Sequence, residues 1–223
     1  MSAEASSPRV VMIHGAFHGP WCWDLVAREL RSRAVDVEIV DLPFTGFDAD
    51  VSAARAAIVG AGRDAIVCCH SYGGVVTDAA MVGITGVARV VYVAAIINAG
   101  IDAFGGETPA IVDAIVPEGD RVRFDGSRAR DIFYGDSDDH TVARIVPQLR
   151  PMILDFTAFV SEPPPRPLAR SVYVICTKDG AIPVAGQRRL AALCDEQVEW
   201  PTDHSPFLTR PDELALLLAG EGS

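Results

Sequence analysis

A chain of 223 residues with 49% hydrophobic and 22% charged residues has the make-up of a folded globule that buries one core, so disordered and fibrous classes are excluded. Its 19 basic and 30 acidic side chains leave a net charge of -11, which argues against nucleic acid as a partner because phosphate affinity comes from clustered Lys and Arg. No stretch approaches the ~20 apolar residues that span a bilayer, and the polar start Met1 to Pro8 lacks a basic region followed by an apolar core; no membrane partner and a cytoplasmic location are therefore expected.

Taken in chain order, short β-branched runs alternate with segments of helical period, the pattern of a parallel sheet covered by helices on both faces. Strands are predicted near Arg9 to His14, Asp36 to Val40, Ala65 to His70, Val90 to Ala95, Ser171 to Cys176 and Gln197 to Trp200. Helices are predicted near Trp21 to Ala34, Val51 to Ala61, Tyr72 to Val82, Pro183 to Leu193 and Pro211 to Leu218. Residues 98–168 break the alternation. They show no clean strand, dense charge from Gly119 to His140, apolar residues at helical spacing (Ile145, Leu149, Met152, Ile153, Phe156) and a closing Pro163-Pro164-Pro165. The expected organisation is an α/β core from 1–97 and 169–223 with a small helical cap inserted at 98–168. Five cysteines, two of them adjacent at Cys68 and Cys69 in an apolar strand, make a poor disulfide framework, and none has zinc-ligand spacing.

The sharpest local signal is Ile66-Val-Cys-Cys-His-Ser-Tyr-Gly-Gly, an apolar strand running through small residues into a helix. This is the pattern of a nucleophile elbow, which holds Ser71 on a tight turn at the strand's carboxyl end. Its first position is Cys69, where the Gly-x-Ser-x-Gly pattern has glycine. Upstream, His14-Gly15-Ala16-Phe17-His18-Gly19 stands where an oxyanion hole is expected, its donors assigned to the backbone N–H groups of Ala16 and Tyr72. His14 and His18 are read as holding that turn by hydrogen bonds.

Downstream, Thr177-Lys-Asp-Gly places Asp179 just past a strand, and Trp200-Pro-Thr-Asp-His-Ser-Pro places His204 on a loop after the last one. Ser71, Asp179, His204 is the chain order in which this fold presents a nucleophile, an orienting acid and a base. Asp203, beside His204, is the reserve candidate for the acid. A serine at the elbow argues against chemistries that need a carboxylate nucleophile.

With these residues placed, nearly the whole chain resembles the methylesterase and hydroxynitrile lyase family of α/β-hydrolases, including its compact bacterial esterase-like members. The match runs through His14-Gly-Ala-Phe-His-Gly-Pro-Trp-Cys-Trp, Cys69-His-Ser-Tyr-Gly-Gly, Ile132-Phe-Tyr-Gly-Asp, Leu149-Arg-Pro-Met, Thr177-Lys-Asp-Gly-Ala-Ile-Pro and His204-Ser-Pro-Phe-Leu. The resemblance implies a six-stranded, mainly parallel sheet lacking the first two strands of larger hydrolases, a small helical cap, no metal and no cofactor. The lyases of the family carry a threonine where this chain has Gly15 and a lysine where it has Ser205, so the resemblance favours the esterase branch.

The expected activity is therefore that of a serine carboxylesterase, acting on a small to medium, largely apolar ester. Phe17, Trp23, Tyr72, Phe133, Tyr134, Met152 and Phe156 are the candidates to line its pocket. Two rivals stay open: a lyase or C–C bond hydrolase using the same three residues, and a ligand-binding protein on the same fold. Monomer and homodimer are both compatible with the sequence.

Overall fold

The computed structural model describes residues 9–97, 109–154, 167 and 169–220. Among them are eight strands, β1 (Arg9–Ile13), β2 (Asp36–Val40), β3 (Ile66–His70), β4 (Arg89–Val93), β5 (Ile115–Glu118), β6 (Arg121–Phe124), β7 (Arg170–Cys176) and β8 (Glu196–Trp200). The helices are α1 (Asp24–Ser32), α2 (Phe47–Ala61), α3 (Gly73–Ala80), α4 (Ala129–Phe133), α5 (Asp139–Ile145), α6 (Val184–Ala191), α7 (Pro206–Thr209) and α8 (Pro211–Ala219). No described helix is long and apolar enough to cross a membrane.

Six strands form one sheet in the order β2-β1-β3-β4-β7-β8, and every pairing in it is parallel. A parallel sheet covered on both faces needs apolar side chains on both sides of each strand, which is why β1, β3 and β4 read as nearly unbroken apolar runs. The period of two then divides them between two cores. Val11, Ile13, Val67, Cys69, Tyr92, Tyr173 and Ile175 meet α2, α3 and α6, while Val10, Met12, Ile66, Cys68, Val91, Val93, Val172 and Val174 meet α1 and α8. Adjacent Cys68 and Cys69 thus face opposite ways, and Cys22, Cys68, Cys69 and Cys176 are buried thiols.

The chain runs from β1 outward to β2, then returns past β1 to β3. The loops leaving β1 and β3 therefore diverge, opening a crevice at the carboxyl ends of these strands where ligands of open α/β sheets bind. His14 to His18 follow β1 and Ser71 follows β3, and a Cβ on Gly15 would lie 2.9 Å from that of Ser71.

Three sequence expectations need correction. The predicted helix Trp21 to Ala34 is a 3-10 turn, Pro20–Trp23, followed by α1. Between β4 and β7, where no clean strand was expected, β5 and β6 form an antiparallel hairpin turned at Gly119, whose φ of 63° suits glycine. Its strands are only four residues each, and Pro117 breaks any alternation in β5. The helical spacing read through Ile145 to Phe156 also fails beyond Ile145: Pro147 and Pro151 cannot continue an α-helix, so α5 gives way to a 3-10 turn, Val146–Gln148, and residues 149–154 lie outside any helix, with Met152 bridged to Val122. Phe156 and the triple proline lie outside the described residues.

Candidate active site

Ser71 sits at the end of β3 with φ of 51°, a left-handed conformation that a residue with a Cβ keeps only where its surroundings impose it. They do so here through hydrogen bonds from Ser71 N–H to the Val93 carbonyl (3.3 Å) and to the Ser71 carbonyl from Ile96 N–H (2.9 Å) and Gly74 N–H (3.0 Å). The small residues around it are a packing requirement. A Cβ on Gly73 would lie 2.7 Å from the His14 carbonyl oxygen, and one on Gly74 would lie 2.5 Å from that of Ile96. Cys69 is accommodated because its side chain leaves the turn for the core, fully buried, its Sγ 3.8 Å from the Val91 carbonyl. Burial raises its thiol pKa well above the ordinary value, which makes it a core residue and no nucleophile.

His204 and Asp179 meet as the sequence order requires. The Nδ1–H of His204 donates to Asp179 Oδ2 at 2.7 Å, with both side chains fully buried. Asp179 Oδ1 accepts the amides of Ala181 (2.7 Å) and Ile182 (2.8 Å), and Oδ2 also accepts Gln187 Nε2 (2.8 Å). These bonds leave the carboxylate one orientation. His204 Nε2 is buried without a hydrogen-bond partner among the described residues. Phe133 stacks on its ring at 5.6 Å and 27°.

Asp203 makes other bonds. Its carboxylate accepts the amides of Asp136 and Ser205 at 2.9 Å each, and Asp203 N–H in turn donates to Asp136 Oδ2 at 3.1 Å. Burial raises its pKa, and the exchange clasps the 109–154 insertion to the His204 loop. The insertion docks on the acid loop as well: a Cβ on Gly180 would collide with the Asp131 carbonyl.

The turn from His14 to His18 is held by the rings of its two histidines. His14 donates from Nδ1 to the Gly15 carbonyl (3.0 Å) and accepts Leu42 N–H at Nε2 (3.1 Å). His18 donates from Nδ1 to the Ala16 carbonyl (2.8 Å) and accepts the Tyr134 hydroxyl at Nε2 (2.9 Å). Both histidines hold the turn, as the sequence suggested. Tyr72 is fixed by its own hydroxyl, which donates to Asp50 Oδ2 at 2.8 Å, while Asp50 Oδ1 accepts Phe44 N–H at 2.8 Å.

Burial lowers the pKa of His18 to about 3. The folded protein keeps this ring neutral, whereas the unfolded chain protonates it below about pH 6.5, so its contribution makes stability fall as pH drops from 6.5 toward 3. Between pH 7 and pH 5 the loss from His18 is expected to be about 2 kcal/mol. Urea unfolding at both pH values should show wild type losing that much more than His18→Gln; equal losses would refute the assignment.

The expected pocket residues separate. Phe17, Tyr72, Phe133, Tyr134 and Met152 join the core on the α2/α3 face, all nearly fully buried, with Phe124 of the hairpin against Phe17 (5.7 Å) and Phe133 (4.4 Å). Trp23 departs from the expectation: it lies in the α1/α8 core against Phe207 at 5.3 Å. Its neighbour Trp21 is the one that stacks on His18, at 5.5 Å and 25°.

Three contributors were missed from sequence. Gln187 grips Asp179; a glutamine on the buried side of α6 was its only signal. His70 donates from Nε2 to the His204 carbonyl at 2.9 Å, its ring 4.5 Å from that of His204. Arg150 bonds the oxyanion turn from the insertion.

Over 250 aligned residues the chain is 27% identical to the alpha/beta hydrolase nvfD of Aspergillus novofumigatus (strain IBT 16806), covering 96% of this chain and 97% of that protein. A local stretch of 48 residues, 22% of this chain and 18% of the relative, is 44% identical to methylesterase 3 of Arabidopsis thaliana. Among solved structures, a pyrethroid hydrolase from Sphingobium faniae JZ-2 superposes with a TM-score of 0.79 at 21% identity, covering 96% of this chain and 97% of that one. The Arabidopsis methylesterase MES16 superposes with a TM-score of 0.78 at 23% identity, covering 95% and 97%. These structural likenesses carry the fold. The sequence model of the alpha/beta hydrolase family matches residues 10–215, and the chain belongs to that family.

Proposed function

We propose that this protein is a serine esterase that cleaves a small to medium, largely apolar carboxylic ester through an acyl-enzyme on Ser71. The observation that carries the proposal is the buried His204–Asp179 pair, 2.7 Å apart, with His204 Nε2 unpartnered and Ser71 held at φ of 51° on its elbow.

In this reading His204 Nε2 takes the Ser71 proton as Oγ attacks the ester carbonyl, and Asp179 steadies the imidazolium without taking the proton. The carbonyl oxygen becomes an oxyanion received by the amides of Ala16 and Tyr72, donors of a kind worth about 3–4 kcal/mol each to the transition state. His204 returns the proton to the leaving alcohol. Water activated by the same nitrogen then attacks the acyl-enzyme, releasing the acid and restoring Ser71.

The esterase reading gains support at the two positions where lyases differ. A threonine Cβ at Gly15 would lie 2.8 Å from His70 Nδ1 and 2.9 Å from Ser71 Cβ, so the elbow leaves no room for it as built. Ser205 is fully buried, and a lysine there would bring a cation into that interior. Relatives named as methylesterases and a pyrethroid hydrolase point the same way. The apolar residues of the insertion that pack beside Phe17 and Tyr72, with 98–168 as the cap, suit an uncharged acyl or alcohol group.

The test is p-nitrophenyl ester hydrolysis from acetate to octanoate, alongside treatment with an alkyl fluorophosphonate. Ester turnover, and one phosphonyl adduct on the Ser71 peptide with matching loss of activity, are expected. A folded protein that releases no p-nitrophenol and takes no label would sink the reading.

A further inference from the structure

Resting on the esterase reading, we propose that Arg150 is a positioning residue of the oxyanion turn, through which the insertion sets the direction of the Ala16 N–H. The turn Gly15 to His18 belongs to no helix or sheet ladder, and Phe17 is left-handed at φ of 63°. Such a conformation persists only where neighbouring peptides are held from outside.

Following the carbonyls shows what holds them. The Gly15 carbonyl accepts His14 Nδ1 (3.0 Å) and that of Ala16 accepts His18 Nδ1 (2.8 Å), both bonds local to the turn. The next two carbonyls both go to Arg150: Phe17 accepts its backbone N–H at 2.7 Å and His18 accepts its Nε at 3.2 Å. The peptides that follow Ala16-Phe17 therefore hang on one residue of the insertion.

Arg150 is itself anchored at its far end. One Nη donates to the Leu42 carbonyl at 3.2 Å, approaches His14 Nε2 at 3.4 Å and pairs with Asp41 at 2.9 Å. The guanidinium lies 4.9 Å over the Phe44 ring. Past Pro151, the amide and carbonyl of Met152 pair with Val122, and Ile153 N–H donates to the Phe44 carbonyl at 3.0 Å. The planar fork of arginine reaches the His18 and Leu42 carbonyls together, which a lysine ammonium cannot match. The Ala16 amide gains nothing in ground-state affinity from this alignment; its use comes when the oxyanion forms.

The experiment compares wild type, Arg150→Lys and Arg150→Met with p-nitrophenyl butyrate, a trifluoromethyl ketone of the same acyl length, which forms a tetrahedral adduct on Ser71, and p-nitrophenol as a ground-state inhibitor. Arg150→Met is expected to lose about 10- to 100-fold in kcat with KM within about threefold, and Arg150→Lys a smaller part of that loss. The ketone inhibition constant should rise in step with the loss of kcat/KM across all three proteins, and the p-nitrophenol constant should stay level.

A purely structural anchor would lower the melting temperature without that correlation. Full kcat in the folded variants, or a loss confined to KM with unchanged ketone affinity, overturns the proposal. If Arg150→Met fails to fold, the lysine variant carries the same comparison. A wild type inert to both ester and fluorophosphonate overturns the esterase reading and this inference together; an active wild type with an indifferent Arg150 overturns the inference alone.

Discussion

Ser71→Ala and His204→Ala are each expected to lower kcat for p-nitrophenyl ester hydrolysis by about a million-fold, and the double variant to lose no more than either alone. The non-additivity follows from the chemistry proposed for the pair. A serine hydroxyl without a base to take its proton is a poor nucleophile, and a base with no hydroxyl has nothing to activate, so removing one side chain already removes the step both perform. His204 is the informative member. In His204→Ala the Ser71 hydroxyl remains, yet its fluorophosphonate labelling should slow in parallel with turnover. The backbone carbonyl of residue 204 that accepts His70 is kept, so the elbow retains that tie. Additive losses, or a His204→Ala protein that labels at the wild-type rate, would show that the two residues do not act as a unit.

Asp179→Asn should lower kcat by about ten-thousand-fold with little change in KM, for a reason that can be read atom by atom. The carboxylate accepts the Ala181 and Ile182 amides on Oδ1, and Gln187 Nε2 and His204 Nδ1 on Oδ2. An asparagine that keeps its oxygen toward the two backbone amides must aim its NH2 at Gln187 Nε2 and at His204. Two donors then face each other at Gln187. At His204 the new donor favours the tautomer with the proton on Nε2, which cannot accept one from Ser71. Turning the Gln187 amide to relieve the first clash would give up its Oε1 bond from Cys176 N–H, at 2.9 Å. The variant is thus expected to fold with reduced stability and to leave Ser71 almost unlabelled by fluorophosphonate; near-normal turnover would contradict the role given to Asp179.

The departures of this chain from sequence expectation share one origin. Cys69 breaks the glycine pattern of the elbow, but the strand alternation turns its side chain into the α2/α3 core, away from the turn. Trp23 and Trp21 are two residues apart on a 3-10 turn, and the path of that turn sends one to the α1/α8 core and the other onto His18. The β5–β6 hairpin escaped notice because its strands are four residues long, and β5, Ile-Val-Pro-Glu, holds a proline and no alternation, so only Arg-Val-Arg-Phe of β6 carries a period of two.

Sequence alone determined the parallel sheet, its strand positions to within one or two residues, the elbow at Ser71 and the pairing of Asp179 with His204 over Asp203. These features are written in short range: β-branched runs that must be buried on both faces, glycines that the crowding of a turn demands, and polar residues placed directly after strand ends. Tertiary structure alone decided that Gln187 grips Asp179, that His70 ties the elbow to the His204 loop and that Arg150 straps the turn after β1. The partners in these contacts lie between 8 and 134 residues apart in the chain, and polar side chains such as these suit solvent as well as a buried bond until the folded backbone brings their partners within reach.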